Sequence, residues 1–211
     1  MATNTTRTRT TTTARRPTLF LALGTLGVLI ATLFFWLSAF SVPFIKGIHY
    51  IHTRENDVKF GNFGWCAGPK YTFDRSVQCL QHVGYDFRPW VPGGEGPTGA
   101  LIFVALTAGF GSLAFLALLA SLARAGLGIF GFALTAFTTF LSVISWFLVL
   151  IIWGSAHRRS NHDNLDAHYG AAFVLVIIGT FIFIASCALV ALGWLRGRRY
   201  QTHTTTVTAR G

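Results

Sequence analysis

Seven histidines, three cysteines and seven carboxylates are the residues of this 211-residue chain that could do chemistry. Histidine titrates near pH 6.5 and can serve as acid, base, metal ligand or pH reader. A thiol can be a nucleophile, a ligand or half of a disulfide. Their spacing forms no hydrolase elbow, zinc-protease helix or phosphate-binding loop. His157, His162 and His168 lack a spacing suited to holding a metal, and carboxylates alone do not define a catalytic pair. Gly126-x-Gly128-x-x-Gly131 matches a dinucleotide fingerprint. That fingerprint needs a preceding strand, whereas this one opens an apolar block, so it reads as small residues that let helices approach. No catalytic residue, metal or cofactor is expected, and the chain reads as a non-enzyme.

The elements that must position these residues follow from composition. Apolar residues make up 52% of the chain and charged residues 11%, against about 25% charged in a soluble domain. A soluble core is therefore excluded. The apolar residues fall into four uncharged blocks at 19–45, 98–123, 127–156 and 170–195. Each exceeds the roughly 20 residues a helix needs to cross a bilayer, and lipid admits helices rather than open strands. The expected fold is all-α, a four-helix transmembrane bundle. The first block is too long for a cleaved signal peptide and reads as a retained anchor.

The formal charge of +10 is an orientation signal. Arg7, Arg9, Arg15 and Arg16 precede the first span, and Arg124 lies in the 124–126 turn. Arg196, Arg198, Arg199 and Arg210 follow the fourth span, and none of these segments carries an acid. The connections 46–97 and 157–169 hold every acidic residue and are nearly neutral. Basic flanks stay in the cytoplasm, so both termini are expected there and both longer loops outside. Arg15, Arg16, Arg124, Arg196, Arg198 and Arg199 would fix topology and meet the anionic inner leaflet, with no nucleic acid needed. Residues 1–18 are threonine- and arginine-rich and read as a disordered cytoplasmic tail, and 196–211 as a second cytoplasmic tail.

Within the third span Thr135, Thr138, Ser142 and Ser145 share one helix face at about 100° per residue. They read as a polar helix–helix seam. A water or ion path is the alternative, and it normally brings an ionisable residue to membrane depth. No block contains one. Gly24, Gly27 and Ala31 of the first span suit close packing, and Cys187 of the fourth reads as a packed thiol.

The 46–97 loop is rich in aromatics, and Val58-Lys59-Phe60 suggests a short strand there. Cys66 and Cys79 both lie in it. On an oxidising outer side they are expected to form a disulfide, the alternative being two free or redox-active thiols. His49, His52, His82, His157, His162 and His168 all fall in the predicted outer segments, where they are candidates for reading external pH; polar-loop histidines without that role are the simpler alternative.

Ser41-Val42-Pro43-Phe44-Ile45-Lys46 closes the first block, and Phe60-Gly61-Asn62-Phe63-Gly64-Trp65-Cys66 follows. Then come Cys79 and Val83-Gly84-Tyr85. In this order the chain resembles the fungal PalI family of claudin-like, four-span plasma-membrane proteins, over about residues 20–197. Gly61, Phe63, Gly64, Trp65, Gly84 and Tyr85 carry the resemblance around the two cysteines. It implies a small disulfide-tied β-sheet in the outer loop and a non-enzymatic role. One branch of that family supports ambient-pH signalling by helping a multi-span sensor at the plasma membrane. Another organises cortical membrane domains linked to endocytosis and the cell wall. The implied partner is another multi-span membrane protein or a second copy of this chain. A small channel or transporter subunit is a third expectation, from a different class.

Overall fold

The computed structural model describes residues 19–54, 57–68, 78–85, 97–123, 128–162 and 166–204. Four long helices account for most of them: α1 (Leu19–Ala39), α2 (Ile102–Ala123), α3 (Gly128–His162) and α4 (Ala171–Thr204). All four are long and apolar enough to cross a membrane. Each satisfies its backbone groups internally, as lipid requires.

Helix α1 stops at Ala39 although the uncharged run continues to Ile45. Pro43 explains the early stop, because it disfavours helical geometry in the residue before it and has no N–H to donate. The chain tightens through Ser41 N–H to the Ser38 carbonyl at 3.3 Å, then closes a loop through Val42 N–H to the Ile48 carbonyl at 2.9 Å. Helix α3, by contrast, runs past its uncharged stretch to His162. Its last turn carries Arg159 and His162, which suit the negative end of a helix dipole.

Helix α1 packs on α2 and α4, and α3 packs on the same two, so the four stand in a square. Small residues set the closest contacts. A Cβ on Gly27 would strike Ser186 Oγ, and one on Gly24 would lie 2.7 Å from Val190 Cγ2. Gly179 holds the Phe35 ring at a similar distance, and Gly131 faces Leu118. Large apolar side chains such as Leu116, Phe140 and Ile151 point outward instead. That inversion suits a lipid surround.

The face of α3 bearing Thr135, Thr138, Ser142 and Ser145 is fully buried. Its hydroxyls are used within the bundle. Thr107 Oγ1 and Ser145 Oγ lie 3.0 Å apart, and Thr180 Oγ1 donates to the Ser142 carbonyl at 3.3 Å. Thr135, Thr138 and Ser145 donate to carbonyls four residues back. This is a packed polar seam.

One end of the bundle carries a five-stranded antiparallel sheet in the order β4-β3-β2-β1-β5. Four strands come from the α1–α2 connection: β1 (Ile51–Thr53), β2 (Val58–Phe60), β3 (Gly64–Ala67) and β4 (Gln78–Gln81). The fifth, β5 (Ala167–Tyr169), comes from the α3–α4 connection and pairs with β1. A short 3-10 turn at Pro97–Leu101 leads into α2. Cys66 and Cys79 stand directly opposite each other on β3 and β4 and form a disulfide, with Cα atoms 4.1 Å apart.

Candidate functional site

The sheet alternates by residue, so its two faces are set by register. Ile51, Val58, Phe60 and Ala67 turn toward the helices and are buried. Residues between them turn the other way. Cys79 opposes Cys66, Cys66 opposes Lys59, Lys59 opposes His52, and His52 opposes His168. One row across all five strands therefore carries the disulfide, a lysine and two histidines on the face away from the bundle.

The buried face is locked to the helices by a polar and aromatic knot. Tyr50 stacks on Trp153 of α3 with centroids 5.1 Å apart, and Phe60 approaches the same indole at 6.3 Å. Ser38 of α1 donates to the Ala172 carbonyl of α4 at 2.8 Å. Its single proton is then committed, so the Tyr50 hydroxyl, 3.1 Å away, donates to Ser38 Oγ. Burial raises the Tyr50 phenol well above its ordinary range, an effect only partly offset by Ser38. Gly170 N–H to the Tyr50 carbonyl and Ala172 N–H to the His49 carbonyl fasten the start of α4 to the same stretch.

The residues that carry the family resemblance form a second knot. A Cβ on Gly61 would fall on the Val42 carbonyl oxygen. Gly64 has a φ of +152°, and a Cβ there would fall on the Leu80 carbonyl oxygen. Gly84 has a φ of +73°, where a side chain is strained. Tyr85, fully buried, donates its hydroxyl to the Gly61 carbonyl at 2.7 Å, and Thr98 donates to the Tyr85 carbonyl at 2.6 Å. Burial pushes the Tyr85 phenol up as well. Asn62 N–H reaches Ser41 Oγ at 2.9 Å. Trp65 packs on the core edge, and Phe63 meets Phe44 edge-on at 6.3 Å. These residues hold the sheet to the end of α1 and the start of α2.

Three of the six histidines come together. His52 Nε2 lies 3.0 Å from Asp57 Oδ1, and its ring is 5.7 Å from that of His49. His168 Nε2 lies 3.2 Å from Asp166 Oδ1, and Arg54 approaches the other oxygen of that carboxylate at 3.5 Å. His49 is held below the usual histidine range, first by burial and then by His52 and Lys59. The other three stand apart. His157 stacks on Tyr169 at 4.3 Å, His82 follows β4, and His162 ends α3. Among the described residues no group of three His, Cys, Asp or Glu side chains converges to hold a metal. The arrangement sets two of these imidazoles beside carboxylates. Arg15, Arg16 and Arg124 lie outside the described residues, and Arg196, Arg198 and Arg199 fall on the last turns of α4.

Ser38, Tyr50, Trp153, Asp57 and Asp166 are absent from the sequence-based site residues. A partial signal exists for the row itself. Ile51-His52-Thr53 and Val58-Lys59-Phe60 each centre one polar residue between strand-favouring neighbours, as a half-buried strand should.

Four apolar helices closed at one end by a disulfide-tied sheet define a multi-pass membrane protein. The model of the SUR7/PalI family matches residues 17–209, and the chain belongs to that family. It is a family of non-enzymatic membrane proteins. No curated protein matches the chain.

Proposed function

We propose that this chain is a non-enzymatic accessory protein of the plasma membrane that supports a multi-span sensor in ambient-pH signalling. Both termini are cytoplasmic and the sheet faces outside. The distribution of basic residues supports the orientation. The observation that carries the pH role is the cluster of His49, His52 and His168 beside Asp57 and Asp166 on the sheet. Histidine is the side-chain type that suits a reader of external pH, and here three of them gather near two carboxylates on the sheet end. Anionic lipids of the inner leaflet attract the arginine tails, and the apolar helix faces meet the sensor or a second copy.

The test is imaging of a tagged sensor in cells lacking this chain. Loss of the sensor from the cell surface, rescued by the wild-type chain, supports the role. Replacing His49, His52 and His168 with Gln is expected to blunt the pH response while the sensor remains in place. An unchanged pH response in that variant sinks direct sensing by this cluster, and normal sensor placement in the deletion sinks the accessory role.

A second reading, an organiser of cortical membrane domains through self-association, is favoured by one feature. Strand β4 is an edge of the sheet, and all four of its residues are exposed. Such an edge can pair with another chain. Static cortical patches that dissolve when β4 carries a proline would support it. The packed hydroxyl seam supports neither a pore nor a transport path.

A further inference from the structure

We infer that the junction between α1 and the sheet holds a phospholipid headgroup of the leaflet on the sheet side, gripped through its phosphate by Lys46 and Lys59. Both lysines line one cavity of about 130 Å³, together with Asp57, Val42 and Cys66. The space suits several waters or one small anionic group. Asp57 is already engaged by His52. Neither lysine has an acidic partner among the described residues. Two cations against one carboxylate, beside an otherwise largely apolar wall, leave a net positive charge that a phosphate balances.

A second observation places acyl chains below that cavity. An aromatic ladder leaves α1 and continues toward it, with Trp36 stacked on Phe40 at 5.2 Å, Phe40 edge-on to Phe44 at 5.9 Å and Phe44 edge-on to Phe63 at 6.3 Å. Phe40 is 44% exposed, Phe44 55% and Ile45 37%. This apolar strip continues the outward face of a membrane-spanning helix and ends where Lys46 begins. Lysine stems run along apolar surface while the ammonium reaches polar groups. The occupant is therefore amphipathic: hydrocarbon against the ladder and phosphate at the lysines. The inference rests on the four-span fold and is independent of any pH role.

The test uses the full chain in detergent, titrated with phosphatidylglycerol, with bound lipid counted by native mass spectrometry. Diacylglycerol, which lacks the phosphate, is the control ligand. The K46Q/K59Q variant is expected to bind phosphatidylglycerol about thirtyfold more weakly, as two basic groups at a membrane surface imply. K46R/K59R retains binding. Both lysines point to solvent or a cavity, so the variants keep the wild-type thermal midpoint. A photoactivatable phospholipid is expected to label segments 40–46 and 57–68. Unchanged affinity in K46Q/K59Q, equal binding of diacylglycerol, or labelling confined to the helices overturns the inference. Inorganic phosphate that competes at the lipid's own concentration also overturns it, and assigns the cavity to a free anion.

Discussion

Two glycines at the junction, Gly61 and Gly64, show how little room a single residue has. Gly61 sits where any side chain meets the Val42 carbonyl. Backbone cannot yield as a flexible side chain can, so Gly61→Ala is expected to cost about 1–3 kcal/mol, as overpacking generally does. Gly154→Ala, on an open face of α3 with nothing near its Cβ, is expected to be neutral or slightly stabilising. Thermal unfolding in detergent separates the two. Tyr85→Phe deletes the hydroxyl that serves the Gly61 carbonyl and is expected to cost about 1 kcal/mol. His49 supplies a pH signature. Its folded value lies below the ordinary 6.5, so the unfolded chain takes up this proton first as pH falls. The neutral ring's contribution is present above about pH 6.5 and is lost as pH falls through the folded value. In thermal scans from pH 8 to pH 5, His49→Gln is expected to lose less stability than the wild type. An identical slope removes His49 from the account.

At the scale of elements, the disulfide and the seam carry the clearest expectations. The bond between β3 and β4 closes a short loop, and the paired change Cys66→Ser/Cys79→Ser is expected to lower stability by about 3 kcal/mol. A mobility difference between reduced and oxidised gels, absent from Cys66→Ser, reports the same bond. Between α2 and α3, the Thr107–Ser145 hydrogen bond is expected to show a coupling of about 0.6 kcal/mol in a double-mutant cycle with Thr107→Val and Ser145→Ala. The helices were legible in the sequence because lipid demands long uncharged runs, and these runs have abrupt edges. Strand β5 was not. It is three residues long, its partner β1 lies far upstream, and its Ala-His-Tyr composition carries no alternation. The end of α1 needed Pro43 to be weighed against six more uncharged residues. The cysteines and the motif glycines were legible as types. The contacts that explain them were not, because Ser38, Tyr50, Trp153 and Ala172 come from four separate parts of the chain.

For the whole molecule, four crossings are expected to put the start of α1 and the end of α4 on one side of the membrane and the sheet on the other. Epitope tags at residues 1 and 211 are expected to share one accessibility in intact cells, and a cysteine-reactive probe directed at reduced Cys66 and Cys79 the opposite one. Tags of unlike accessibility would remove one of the four crossings. The pairing of β1 with β5 has a mechanical consequence for this assembly. It ties the α1–α2 connection to the α3–α4 connection at the sheet end, with Arg54 and Asp166 bridging the same two connections. At the far end the chain itself joins the two hairpins, passing from the end of α2 at Ala123 to the start of α3 at Gly128. The two hairpins are thus fastened at both ends, by strand pairing at the sheet and by the chain's own connection opposite it. The hairpins therefore cannot swing apart at the far end, and a strain applied at the sheet is borne by the strand pairing and the helix packing together.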